Sequence, residues 1–160
     1  MLEKRAATRD HVGALIGLDV LPGQRDLVSP NVRTTAQAAC EPGAYVWGLW
    51  DAAADGAAPV GLMAMVHPRE YPFHEPGDDR EAAYLWRLLI AAGYQGRGFG
   101  RAAVALALAV ARDLGCPRLT LGVADAPHAA QGCYERLGFR RTGQVADGER
   151  TMTRDVGPAD

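Results

Sequence analysis

Residues 94–104 read YQGRGFGRAAV, with glycine at Gly96, Gly98 and Gly100 and arginine at Arg97 and Arg101. An apolar, strand-forming run, AAYLWRLLI (Ala82–Ile90), leads into this stretch, and an alanine-rich helical segment follows it. Strand, tight glycine turn and helix start together form a recipe for binding phosphate. The first N–H groups of a helix lack intrahelical partners and carry the positive end of its dipole. Glycines let successive N–H groups line a concavity that a diphosphate can approach, and the two arginines can add charge-assisted contacts at its rim. A P-loop would need a lysine after the last glycine, yet Lys4 is the chain's only lysine. A dinucleotide fingerprint needs GxGxxG, whereas the spacing is GxGxG, and no ribose-binding acid stands out on the next strand. A glycine-rich turn with solvated arginines would have the same spacing.

The elements that must position this turn can be read on both sides of it. A short strand is expected at Leu2–Ala6. A helix capped by Thr8 follows, with Val12, Leu15, Ile16 and Asp19 at helical spacing. Pro22-Gly23 and Pro30 interrupt it, and Thr34 or Thr35 can cap a second short helix. Ala44–Asp51 and Pro59–His67 read as an antiparallel strand pair. Residues 68–81 form a loop with three prolines and five acidic residues. After the strand Ala82–Ile90, a mostly buried helix should run from about Arg101 to Gly115. A strand at Arg118–Val123, a helix in PHAAQGCYERLGF and a hairpin turning at Asp147-Gly148 complete the chain. The pattern is mixed α/β, with residues 1–160 forming one domain.

Net charge of −2 gives no electrostatic footprint for nucleic acid or an anionic membrane. The longest apolar run, Ala102–Ala111, is far short of the ~20 residues of a membrane span. No secretory leader pattern is visible in MLEKRAATRD, so a cytoplasmic protein is expected. Cys40, Cys116 and Cys133 have no metal-ligand spacing and read as reduced thiols, and no metal site is expected.

QGRGFG between strand and helix resembles the Q/R-x-x-G-x-G/A signature of the GCN5-related N-acetyltransferase (GNAT) superfamily. YERLGF matches that superfamily's usual Tyr-x-x-x-Gly-Phe ending at the customary distance. More narrowly, LWRLLI…YQGRGFGRAAV with CYERLGFRRTGQVADGE is similar to the diamine/spermidine acetyltransferase-like branch. The resemblance covers the second half of the chain strongly. It implies the GNAT fold: a mostly antiparallel central sheet, flanked by helices, with one splayed parallel strand pair that would be Ala82–Ile90 and Arg118–Val123. It implies acetyl-CoA as co-substrate, its pantetheine arm along the backbone of Leu88, Leu89 and Ile90. Its diphosphate would lie on Gln95, Gly96, Arg97, Gly98, Phe99, Gly100 and Arg101. A backbone N–H near Leu88 would donate to the thioester oxygen, and Tyr134 would be the acid toward the leaving thiolate. A homodimer is implied as well.

The implied reaction is direct attack of a primary amine on the thioester. An alkylamine of pKa about 10.4 gives up its proton near pH 7 at a cost of roughly 4–5 kcal/mol, so a base is wanted. Relatives often place a carboxylate on or just after the strand before the signature. Here those positions hold Trp86, with Arg87 next, and Ala91. The remaining candidates are Glu81, Glu75, His67, His74 and Tyr84. Many members carry Asn seven residues before the tyrosine, where this chain has Pro127, with His128 and Asp125 as substitutes. The acidic loop could steer a cationic amine, and Tyr45, Trp47 or Trp50 could line its site. The expected acceptor is the primary amine of a small molecule, polyamines included. The alternatives are an antibiotic, an amino acid or a protein N-terminus, or a catalytically silent acyl-CoA-binding module.

Overall fold

The computed structural model describes residues 1–54, 58–126 and 130–158. Seven strands form one sheet: β1 (Leu2–Ala6), β2 (Ala44–Asp51), β3 (Gly61–Val66), β4 (Ala82–Ile90), β5 (Arg118–Ala124), β6 (Arg140–Ala146) and β7 (Glu149–Asp155). The spatial order is β1-β2-β3-β4-β5-β7-β6, and only β4 and β5 run parallel. Parallel neighbours need a crossover, here supplied by α3 (Phe99–Asp113). The last strand in sequence, β7, inserts between β5 and β6.

Alternation along the strands separates two faces. Toward α3, Met63, Met65, Leu85, Leu119, Leu121 and Met152 meet Ala103, Val104, Ala107 and Leu108 in the main core. Burying each of the larger side chains contributes roughly 1.5–3 kcal/mol. The expectation of a helix enclosed on most sides holds, because small residues let α3 lie close to the sheet. On the opposite face a smaller cluster joins Leu15 of α1 (Arg9–Ile16) to Trp50 and Leu62.

Two local expectations are corrected. Thr8 precedes α1, but its hydroxyl meets His11 Nδ1 at 3.3 Å rather than capping a backbone N–H. The helix α2 spans Asn31–Cys40, starting before either threonine. Pro30 excludes helix only on its own N-terminal side, and its fixed φ suits a helix entry. Asn31 then fastens that entry, since its buried Nδ2 donates to Leu15 O at 2.9 Å at the end of α1.

Candidate active site

Parallel pairing of β4 and β5 covers only Ala82↔Arg118, Ala83↔Leu119, Tyr84↔Thr120 and Leu85↔Leu121. Beyond Leu85 the two strands part, so Trp86–Ile90 has a partner only on its β3 side. The parting coincides with a β-bulge: Ala64 pairs with Arg87 and Met65 with Leu85, leaving Trp86 as the extra residue. Bulges bend a strand and redirect side chains. Alternate N–H and C=O groups of Trp86–Ile90 therefore point into a V-shaped opening with no strand to receive them.

At the wide end of the opening, the chain turns through Gly96 and Gly98, with φ of +73° and +85°, into α3. These backbone angles select glycine. Gly98 is the N-cap and has no side chain to give, and the first turn of α3 has no acidic residue. The leading N–H groups are thus left for an anion. Gly100 is a different case. Its φ lies outside the left-handed region, and a Cβ there would meet no protein atom within 4 Å. Neither local backbone nor packing within the protein calls for glycine there.

Arg97 stands over the rings of Tyr94 and Phe99, at 5.5 and 5.4 Å, and Arg101 is exposed on the first turn. The Gln95 side chain is engaged elsewhere: its Nε2 donates to Ile90 O at 2.9 Å and to Gln24 Oε1 at 2.8 Å. It fastens the strand end to the turn, leaving only its backbone to face an anion.

On the face away from α3, a groove of about 1370 Å³ runs between the acidic loop and the β6–β7 hairpin. Tyr84, Thr120, Thr151 and Thr153 are in its wall. The later half of the loop is pinned at two points. Gly77 lies against the Gln144 side chain of β6, and Asp79 pairs with Arg118 at the start of β5. A second groove of about 350 Å³ approaches from the α2 side, and Trp86, Arg87 and Glu149 line both. Arg87 lies over the Trp86 ring and donates to Trp86 O at 2.8 Å and Ser29 Oγ at 3.2 Å.

Tyr134, on α4 (Gln131–Arg136), packs its half-buried ring against Phe139 at 5.6 Å and belongs to the α3-side core. Burial pushes its phenol up to about 12. Among the base candidates, Glu81 binds Arg118 at 3.2 Å. His67 lies 3.9 Å from Glu70, and His74 is at 2.9 Å from Pro68 O and 4.0 Å from Asp78. Glu75 and Tyr84 line the large groove, and burial first, then the charge of Glu149, raises the Tyr84 phenol to about 12. Trp50 is core, Tyr45 donates to Glu70 at 2.6 Å, and neither these nor Trp47 lines either groove. Pro127 and His128 lie outside the described residues, and Asp125 is paired with Arg150 at 2.9 Å. Glu149, outside the base candidates read near β4, also borders both grooves. Only the insertion of β7 beside β5 brings it here, and the GE following the hairpin turn was the available signal.

The sequence profile described as the Acetyltransferase (GNAT) family matches residues 20–139. The chain belongs to this family. N-acetyltransferase family 8 member 2 of Rattus norvegicus is 30% identical over 96 residues, which is 60% of this chain and 40% of that protein. The chain spans about half the length of the curated relatives it matches. Among solved structures, aminoglycoside acetyltransferase AAC(6')-Ib in complex with coenzyme A and kanamycin superposes with a TM-score of 0.76 at 17% identity, covering 97% of this chain and 95% of that one. A spermidine N-acetyltransferase SpeG chimera from Vibrio cholerae and hSSAT superposes with a TM-score of 0.67 at 20% identity, with the same coverage of 97% and 95%. Both likenesses are of fold.

Proposed function

We propose that the chain is an acetyl-CoA-dependent N-acetyltransferase acting on the primary amine of a small cationic molecule, polyamines among them. The observation that carries this reading is the parting of β4 and β5 beside a glycine turn whose Gly100 no protein contact explains. Acetyl-CoA would supply an acyl carbon activated as a thioester. The backbone of Leu88, Leu89 and Ile90 would hold the pantetheine arm as an added strand, with an N–H near Leu88 donating to the thioester oxygen. Gly96–Arg101 would hold the diphosphate through backbone N–H groups, with Arg97 and Arg101 at the rim. Tyr134 would donate to the departing sulfur, and its raised phenol keeps that proton in place throughout the neutral range.

Six carboxylates against four arginines line the large groove, and this acidic balance favours a cationic acceptor. The solved structures bound to kanamycin or built on a spermidine enzyme are in keeping with that chemistry. A homodimer would form through the outer edge of β6, most of whose residues are exposed; light scattering on the eluted protein tests it. The function is tested by thiol release from acetyl-CoA with a panel of polyamines, aminoglycosides, amino acids and peptides. Amine-dependent release above background hydrolysis is expected, strongest with multiply charged small amines. Coenzyme A binding without turnover across the panel would identify a silent binding module instead.

A further inference from the structure

We propose that Glu149 is the carboxylate that receives the acceptor amine's proton. The assignment rests on the acetyltransferase reading above and adds the group that reading lacks. Glu149 opens β7 opposite Ala124 of β5 and, by alternation, shares the groove face with Thr151 and Thr153. Its side chain runs back over Gly122, where a Cβ would collide with Glu149 Oε2. Gly122 is the first residue of β5 beyond the last pair with β4, Leu85↔Leu121. The carboxylate therefore lies over the apex of the opening, at the point where both grooves meet beside Trp86 and Arg87. Tyr134 belongs to the opposite face of the sheet. The two groups would address the apex from either side, as proton acceptor and proton donor.

Of the other carboxylates in the large groove, Glu41, Glu75 and Asp147 are also without a side-chain partner among the described residues but, unlike Glu149, do not line the second groove, and three more lie in or beside it engaged elsewhere. Asp79 and Glu81 hold Arg118, and Asp78 accepts the Glu75 N–H at 2.7 Å beside His74. Glu149 makes no ion pair or side-chain hydrogen bond among the described residues. Tyr84 and Arg87 face its surroundings from β4, Asp147 from the preceding turn, Asp78 from the acidic loop, and Asp26 and Arg33 across the smaller groove. In the step, Glu149 takes one proton from the ammonium, the freed nitrogen lone pair forms the N–C bond, and the second N–H proton of the tetrahedral adduct leaves to water as the adduct collapses to the amide. The C–S bond breaks, and the departing sulfur keeps its electron pair and receives the Tyr134 proton. Exchange with water restores both side chains.

The test compares the unsubstituted enzyme with Glu149→Gln and Gly122→Ala, using acetyl-CoA and spermidine as probes. Coenzyme A affinity by calorimetry and the melting temperature should be unchanged in Glu149→Gln. Its kcat should fall about 100-fold or more, the range of a lost general base. Its kcat/KM should keep climbing with pH toward the amine's own ionisation, where the unsubstituted enzyme levels off earlier. Gly122→Ala, which displaces the carboxylate without removing it, should lose kcat in the same direction. If Glu149→Gln keeps kcat within about threefold, or only raises KM, the assignment is overturned and the acetyltransferase reading stands. No spermidine-dependent turnover in the unsubstituted enzyme, nor with any other amine of the panel, would overturn both.

Discussion

Gly98 and Gly100 lie two residues apart and answer to different demands. Gly98 has a left-handed backbone, so alanine there costs about 1–2 kcal/mol of stability. Gly100 has helical space for a Cβ and no neighbour to strike. Gly100→Ala should therefore stabilise the free protein by about 0.4–1 kcal/mol while weakening coenzyme A binding tenfold or more, or about 1.4 kcal/mol. Thermal melting and calorimetry on one sample would show opposite signs. Tyr134→Phe should lower kcat about 100-fold with coenzyme A affinity unchanged. Because the phenol is pushed up to about 12, no loss of rate below about pH 10 should trace to its ionisation. The glycine turn was readable from residue types and spacing, and Tyr134 from the resemblance of YERLGF to the family's ending. The role of the Gln95 side chain was not, because its partners Gln24 and Ile90 come from separate elements.

An ion pair ties the end of the β3–β4 loop to β5. Asp79 grips Arg118 at the start of β5, where that residue pairs with Ala82. The guanidinium holds the Asp79 carboxyl below the usual carboxylate range. A depressed carboxylate stabilises the fold fully above its unfolded value and loses that effect as pH falls through the folded one. Asp79→Ala should cost about 1–2 kcal/mol at neutral pH, read as a fall in melting temperature of roughly 3–6 °C. The two proteins should converge as pH falls below the ordinary aspartate range and the depressed carboxyl takes up its proton. Strand and helix identities along the chain followed from periodicity. The early start of α2 at Asn31 did not, because its fastening depends on the end of α1. Nor did the bulge at Trp86, which exists only in the register of β4 against β3.

For the molecule as a whole, a single topological choice, β7 between β5 and β6, turns a C-terminal hairpin into a wall of the groove and delivers Glu149 to the apex. Local sequence reasoning finds the hairpin but not its insertion point, since either strand could have paired with β5. The parted strands have a mechanical consequence too. Four residue pairs are all that join β1–β4 to β5–β7 within the sheet. The sheet is thus two plates sharing a short seam, and any extended ligand laid into the gap would act as a splice between them. Hydrogen exchange should record this directly. Amides of Trp86–Ile90 that point into the gap should exchange faster than their neighbours in the free protein and slow markedly with coenzyme A. Equal exchange in both states would leave the plates unspliced.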